Sequence, residues 1–115
     1  MSEAKYLVRP FCGKLDALIF SCPGCKYDHG VNLTPEGPFI NTQGKKDIWS
    51  WNKSFDVPTI RASVLIEGGR DKDGKILSPR CHSFITDGKI QFLTDCEHEL
   101  SGHTVPLPDI SEEVP

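Results

Sequence analysis

The sequence predicts a mostly β, small single domain in which a zinc-ribbon-like knuckle packs on a β-hairpin. Three observations carry that expectation. An Asp87-Gly88 pair separates two β-prone runs, five Cys stand with four His in only 115 residues, and 10 Gly with 9 Pro interrupt the chain too often for long helices. At this length one core is expected, with residues 1–108 as a single zinc-binding β domain and 109–115 as an acidic extended tail.

Along the chain, Tyr6–Phe11 and Leu15–Ser21 read as strands, the second leading into Cys22-Pro-Gly-Cys25. Residues Val31–Asp47 carry Pro35, Gly37, Pro38 and Gly44 among polar residues, which is the chemistry of a long excursion. Ile48–Asn52 alternates about Trp49 and Trp51. Thr59–Ile66 is rich in β-branched residues and favours a strand, and Gly68–Gly74 forms a charged loop tip.

The clearest element is Cys81–Cys96. With Asp87-Gly88 as its turn, Thr86 pairs with Lys89, Ile85 with Ile90, Ser83 with Phe92 and Cys81 with Thr94. Alternation then places Cys81, Ser83, Ile85, Ile90, Phe92, Thr94 and Cys96 on one face. His82, Phe84, Gln91 and Leu93 take the other.

Thirteen basic against sixteen acidic side chains give a net charge of −3, which disfavours binding to a phosphate backbone. The longest uncharged apolar stretch, Ala17–Pro23, is far short of the ~20 residues of a spanning helix, and Met1–Pro10 lacks a secretory apolar core. No membrane association and a cytoplasmic setting are expected. In that setting five thiols are better read as metal ligands than as disulfides.

Cys22 and Cys25 form a C-x-x-C knuckle that turns two thiolates toward one cation. Cys81 and Cys96 supply a second pair across the hairpin, completing a four-thiolate Zn2+ site. His98, His29 and His82 are alternative ligands or supports of the ligands, although His82, on the opposite hairpin face, reads first as a surface or hydrogen-bonded imidazole. Cys12 is expected to be a buried strand residue outside the site. Trp49 and Trp51 form either a core wall or a ligand surface. A redox dithiol would need a βαβ context that is not present.

The sequence carries no H-E-x-x-H, no deaminase pairing of H-x-E with P-C-x-x-C, no G-x-S-x-G and no phosphate-binding glycine loop. A non-enzymatic role is therefore expected. The ordered set of Cys22-Pro-Gly-Cys25, the region of Trp51 and Pro58-Thr59, Cys81–Phe92, and Asp95-Cys-Glu-His98 through Pro108 resembles an uncharacterised family of small phage and prophage proteins. Members of that family are often labelled ammonia monooxygenase, a label that does not fit a chain without spanning helices. The resemblance implies a small phage-type accessory protein acting as a protein-interaction module on a host or phage partner, with modulation of a host or defence protein as one version. A zinc-dependent hydrolase or small-ligand-binding enzyme, and a virion structural or decoration protein, are the alternatives.

Overall fold

The computed structural model describes residues 6–110, so most of the acidic tail expected over 109–115 lies outside the described residues. Ten strands and no helix occur among them, in agreement with the expected mostly β class. β1 (Arg9–Phe11), β2 (Lys14–Ser21) and β3 (Asp28–Asn32) make an antiparallel sheet in that order. The second sheet has five strands in the order β10-β9-β8-β5-β4, formed by β4 (Ser50–Trp51), β5 (Ile60–Ile66), β8 (Cys81–Thr86), β9 (Lys89–Phe92) and β10 (Thr104–Pro106). β6 (Gly69–Arg70) and β7 (Ile76–Ser78) form a small ribbon around the charged tip.

The core fills the space between the two larger sheets. Leu18, Phe20 and Val31 meet Ile60, Val64, Ile85, Ile90 and Phe92, all essentially without solvent exposure. The register of β8 on β9 is the one the Asp87-Gly88 turn predicts, with Ser83 opposite Phe92 and Ile85 opposite Ile90. Asp87 and Gly88 take φ of 51° and 80°, the left-handed pair a tight hairpin requires.

Three expectations change. Cys12 is exposed rather than buried, because Cys12-Gly13 is itself the β1–β2 turn, with φ of 55° and 75°. The second hairpin strand ends at Phe92, so Cys81 does not pair with Thr94. Instead Leu93 donates its N–H to His82 O and the chain turns, closed by Cys96 N–H to Leu93 O. The excursion expected from Val31 begins only at Leu33, because Val31 and Asn32 end a strand that polar composition conceals, β3 reading Asp-His-Gly-Val-Asn. Gly30 is required within it, for a Cβ there would sit 2.1 Å from the Phe39 ring.

Asn32, fully buried at the end of β3, organises the chain beyond that strand. Its amide donates to Phe39 O at 2.7 Å and Asp47 O at 3.0 Å, while its oxygen accepts the Phe39 N–H at 3.0 Å. One side chain thus folds the 33–49 segment back against β5, where the two border a cleft.

Candidate functional site

Two constellations lie back to back across β8. The first is a thiol–imidazole cluster. The knuckle holds its shape through Cys25 N–H to Cys22 Sγ at 3.3 Å and Lys26 N–H to Cys22 O at 2.8 Å. Cys81, at the start of β8, brings its sulfur to 3.8 Å from that of Cys22. His29, on β3 and almost wholly buried, completes a group of four whose ligand atoms all lie within 4.8 Å of one another: Cys22, Cys25, His29 and Cys81. A second group joins Cys81 to Cys96 and His98.

The donor set fits a cation. His29 is wedged between the rings of Phe20 and Tyr27 with a buried Nε2 that finds no partner, and the buried Nε2 of His98 is likewise unpartnered. A buried polar atom without a partner carries a desolvation penalty that a ligand removes. The sulfur electrostatics agree. The Cys22 thiol is held down to about 4, first by the hydrogen bond from Cys81 and then by His29, working against burial. Burial and the Cys22 charge push Cys25 up to about 12. Cys81 is also pushed up, by donating to Cys22 and by burial. Without a cation one thiolate is shared among three sulfurs, and a metal ion would displace the remaining protons. The expected set of four thiolates is not gathered in one group: Cys22, Cys25 and Cys81 cluster with His29, while Cys96 stands with Cys81 and His98 in the second group.

The second constellation was not anticipated. His82 occupies the β8 face opposite Cys81. Its Nε2 lies 3.1 Å from Ser63 Oγ on β5, and its Nδ1 lies 3.2 Å from Asp95 Oδ2 in the turn after β9. A carboxylate only accepts, so the Nδ1 proton points to Asp95 and Nε2 presents its lone pair to the Ser63 hydroxyl. Local register explains how Ser63 reaches it. β5 pairs Ile60 with Ile85 and then Val64 with Ser83, so Arg61, Ala62 and Ser63 together stand opposite Phe84 alone. Leu65 pairs directly with His82, so Ser63, two residues before it, shares that outer face by ordinary alternation and is the diagonal neighbour of the imidazole.

Ser63 opens onto a cleft of about 390 Å3 between β5 and the 41–49 segment, lined by Asn41, Asp47, Trp49, Leu65 and Glu67 beside it. Trp49 donates its indole N–H to Ser63 O at 3.0 Å, fixing the backbone of the bulge. On its far side, Trp49 joins Trp51, Phe55, Leu15 and Leu33 around an apolar hollow of about 640 Å3. Trp51 meets Phe55 edge to face with centroids 5.1 Å apart. The two tryptophans accordingly pack against the core and also border open space.

Sequence reading missed Ser63 and its link to Asp95, and weighed His82 only as an alternative metal ligand or support, or as a surface or hydrogen-bonded imidazole. No short motif spans them, because they come from two strands and a turn. The available signal was the face partition of the hairpin, which sets His82 apart from every thiol. Among the described residues no helix is long and apolar enough to cross a membrane.

A family model described as bacterial ubiquitination-like system serine protease (BubE) matches residues 2–93. The span includes Cys22, Cys25, His29, Ser63, Cys81 and His82, and ends before Asp95 and Cys96. No curated protein and no solved structure matches the chain. The match overturns the expectation of a phage-type accessory interaction module, and with it the virion alternative, since the family is named for a protease within a bacterial system.

Proposed function

Because the chain belongs to the bacterial ubiquitination-like system serine protease (BubE) family, we propose that it is a serine hydrolase whose triad is Ser63, His82 and Asp95. The observation that carries this reading is the single imidazole bridging a carboxylate at 3.2 Å and a hydroxyl at 3.1 Å, that hydroxyl belonging to a residue that lines a cleft.

In the reaction Ser63 Oγ attacks the carbonyl carbon of a polypeptide acyl group while His82 Nε2 takes the hydroxyl proton. The tetrahedral adduct collapses, His82 returns that proton to the leaving group, and an acyl-Ser63 ester remains. A water then gives a proton to His82 and its oxygen to the acyl carbon, releasing the carboxylic acid and restoring the serine. Asp95 holds the ring in the tautomer that accepts from Ser63 and offsets the charge the ring acquires. The cleft between β5 and the 41–49 segment, about 390 Å3 and lined by Ser63, is where the acyl substrate would lie.

The cysteine–histidine group has the sulfur-rich, buried character of a structural Zn2+ site. Zinc there would be held by Cys22, Cys25, His29 and Cys81 and would cross-link the two sheets, the four protein donors being the number a structural site uses.

The test is covalent labelling with a fluorophosphonate, followed by peptide mass mapping. A single adduct on Ser63 is expected, abolished in Ser63→Ala and His82→Ala. In ester or peptide turnover each variant should lose roughly 10^4- to 10^6-fold in kcat, with the double variant no worse than the poorer single one. Labelling at another serine, or full turnover by Ser63→Ala, would sink the proposal.

A further inference from the structure

The two constellations interlock in the chain. Cys81 immediately precedes His82, and Cys96 immediately follows Asp95. Successive side chains on β8 point to opposite faces, so fixing the sulfur of Cys81 on the inner side fixes the root of the imidazole on the outer side. This matters because Cys81 pairs with Ile66 at the end of the β5–β8 ladder, where strands fray most readily.

Cys96 grips the same residue from behind. Its sulfur accepts the His82 N–H at 3.2 Å and its thiol donates to His82 O at 3.2 Å, so both main-chain polar groups of the histidine close on one side chain. The loop bearing Asp95 is thereby tied directly to the backbone of His82. Two independent signs point to a cation on the inner side: the four clustered donors and the unpartnered, buried Nε2 of His29.

We propose that a metal ion held by Cys22, Cys25, His29 and Cys81 is the positioning device of the triad, with the Cys96 thiol as the clasp that passes that order to Asp95. The ion takes no part in acyl transfer. It keeps the end of β8 in place so that one imidazole reaches Ser63 and Asp95 together. This inference rests on the Ser63 reading and concerns its control.

Zinc-loaded protein should contain one ion per chain, and Co2+ replacement should give sulfur-to-metal charge-transfer bands with tetrahedral d–d intensity, both lost in Cys22→Ser. After chelation the far-UV spectrum should persist. The rate of Ser63 labelling should fall about 100-fold, the scale of a 1 Å misplacement. The 15N resonances of His82 should change from one tautomer to a mixture. Ester turnover should lose kcat with little change in KM, and Zn2+, Cd2+ or Co2+ should restore it alike.

Cys96→Ala guards against simple unfolding of the metal-free chain. It should keep its ion while labelling more slowly, and Cys96→Ser should recover part of the loss. Equal labelling and unchanged His82 signals with and without metal, or in Cys96→Ala, overturn the positioning role while leaving the triad in place. A rate that tracks the Lewis acidity of the ion overturns it as well. Metal-dependent labelling that survives Ser63→Ala overturns the premise instead.

Discussion

His82 holds its proton by geometry. Asp95 can only accept, so it draws the Nδ1 proton and leaves Nε2 free for Ser63. In Asp95→Asn the amide can donate to Nδ1, which selects the tautomer that points a proton at Ser63. We expect kcat to fall by about 10^2- to 10^4-fold with KM nearly constant, measured on an activated ester. The melting temperature should stay within ~1 °C, because Asp95 is 46% exposed and its pairing with a 26% exposed histidine is screened by water. At this scale the sequence was informative about thiols and silent about the triad. A cysteine count limits what thiols can do, whereas serine, histidine and aspartate are common surface residues, and only the register of β5 on β8 brings one serine to this imidazole. The same reasoning explains Cys12: its sequence neighbours look like a strand, but the Gly13 after it makes it half of a turn.

Among elements, the β8–β9 hairpin was legible from Ser83 to Phe92, since an Asp-Gly turn sets the register and the register sets both faces over that span. Gly88 is also docked, donating its N–H to Pro58 O and accepting from Leu107 N–H, both at 2.9 Å. With φ of 80° it has no easy substitute. Gly88→Ala should destabilise by about 1–2 kcal/mol, a fall of roughly 5–10 °C in a thermal melt, with metal content intact. The turn after β9 was not legible, because its stop depends on tertiary partners. Glu97 is one of these. It accepts from the Arg80 N–H at 2.7 Å and pairs with the Arg70 guanidinium, and those two contacts, Arg70 first, hold its carboxyl below the ordinary value of 4.5. A lowered carboxyl favours the fold above that ordinary value, and the benefit disappears as pH falls through the lower folded value. The acid limb of a plot of melting temperature against pH should therefore flatten in Glu97→Gln.

For the molecule as a whole, the sulfur cluster lies where the two larger sheets meet, which elsewhere pack through their side chains and are linked by the Trp49 N–H to Asn32 O bond at 2.8 Å. Cys22 and Cys25 leave the first sheet, His29 sits on its third strand, and Cys81 begins a strand of the second. Removing a bound ion should lower the melting temperature by about 10 °C or more, if the ion contributes even ~2 kcal/mol. Hydrogen exchange should show the loss first at β3 and the start of β8, and later at the middle of β9. The architecture was legible at this scale because a chain lean in apolar residues with many thiols has few other ways to unite its parts. The proposed chemistry was not, since Cys81 and Cys96 adjoin His82 and Asp95 in the chain without any motif that marks the latter two.

The 59-residue separation of Cys22 from Cys81 has a consequence in time. During synthesis the knuckle and His29 leave the ribosome well before β8, so three of the four donors wait for the last. That last donor and the base of the triad are encoded by consecutive codons. A nascent or truncated chain that lacks Cys81 lacks His82 too, and on the proposed arrangement the enzyme has no hydrolytic activity until the step that closes its fold.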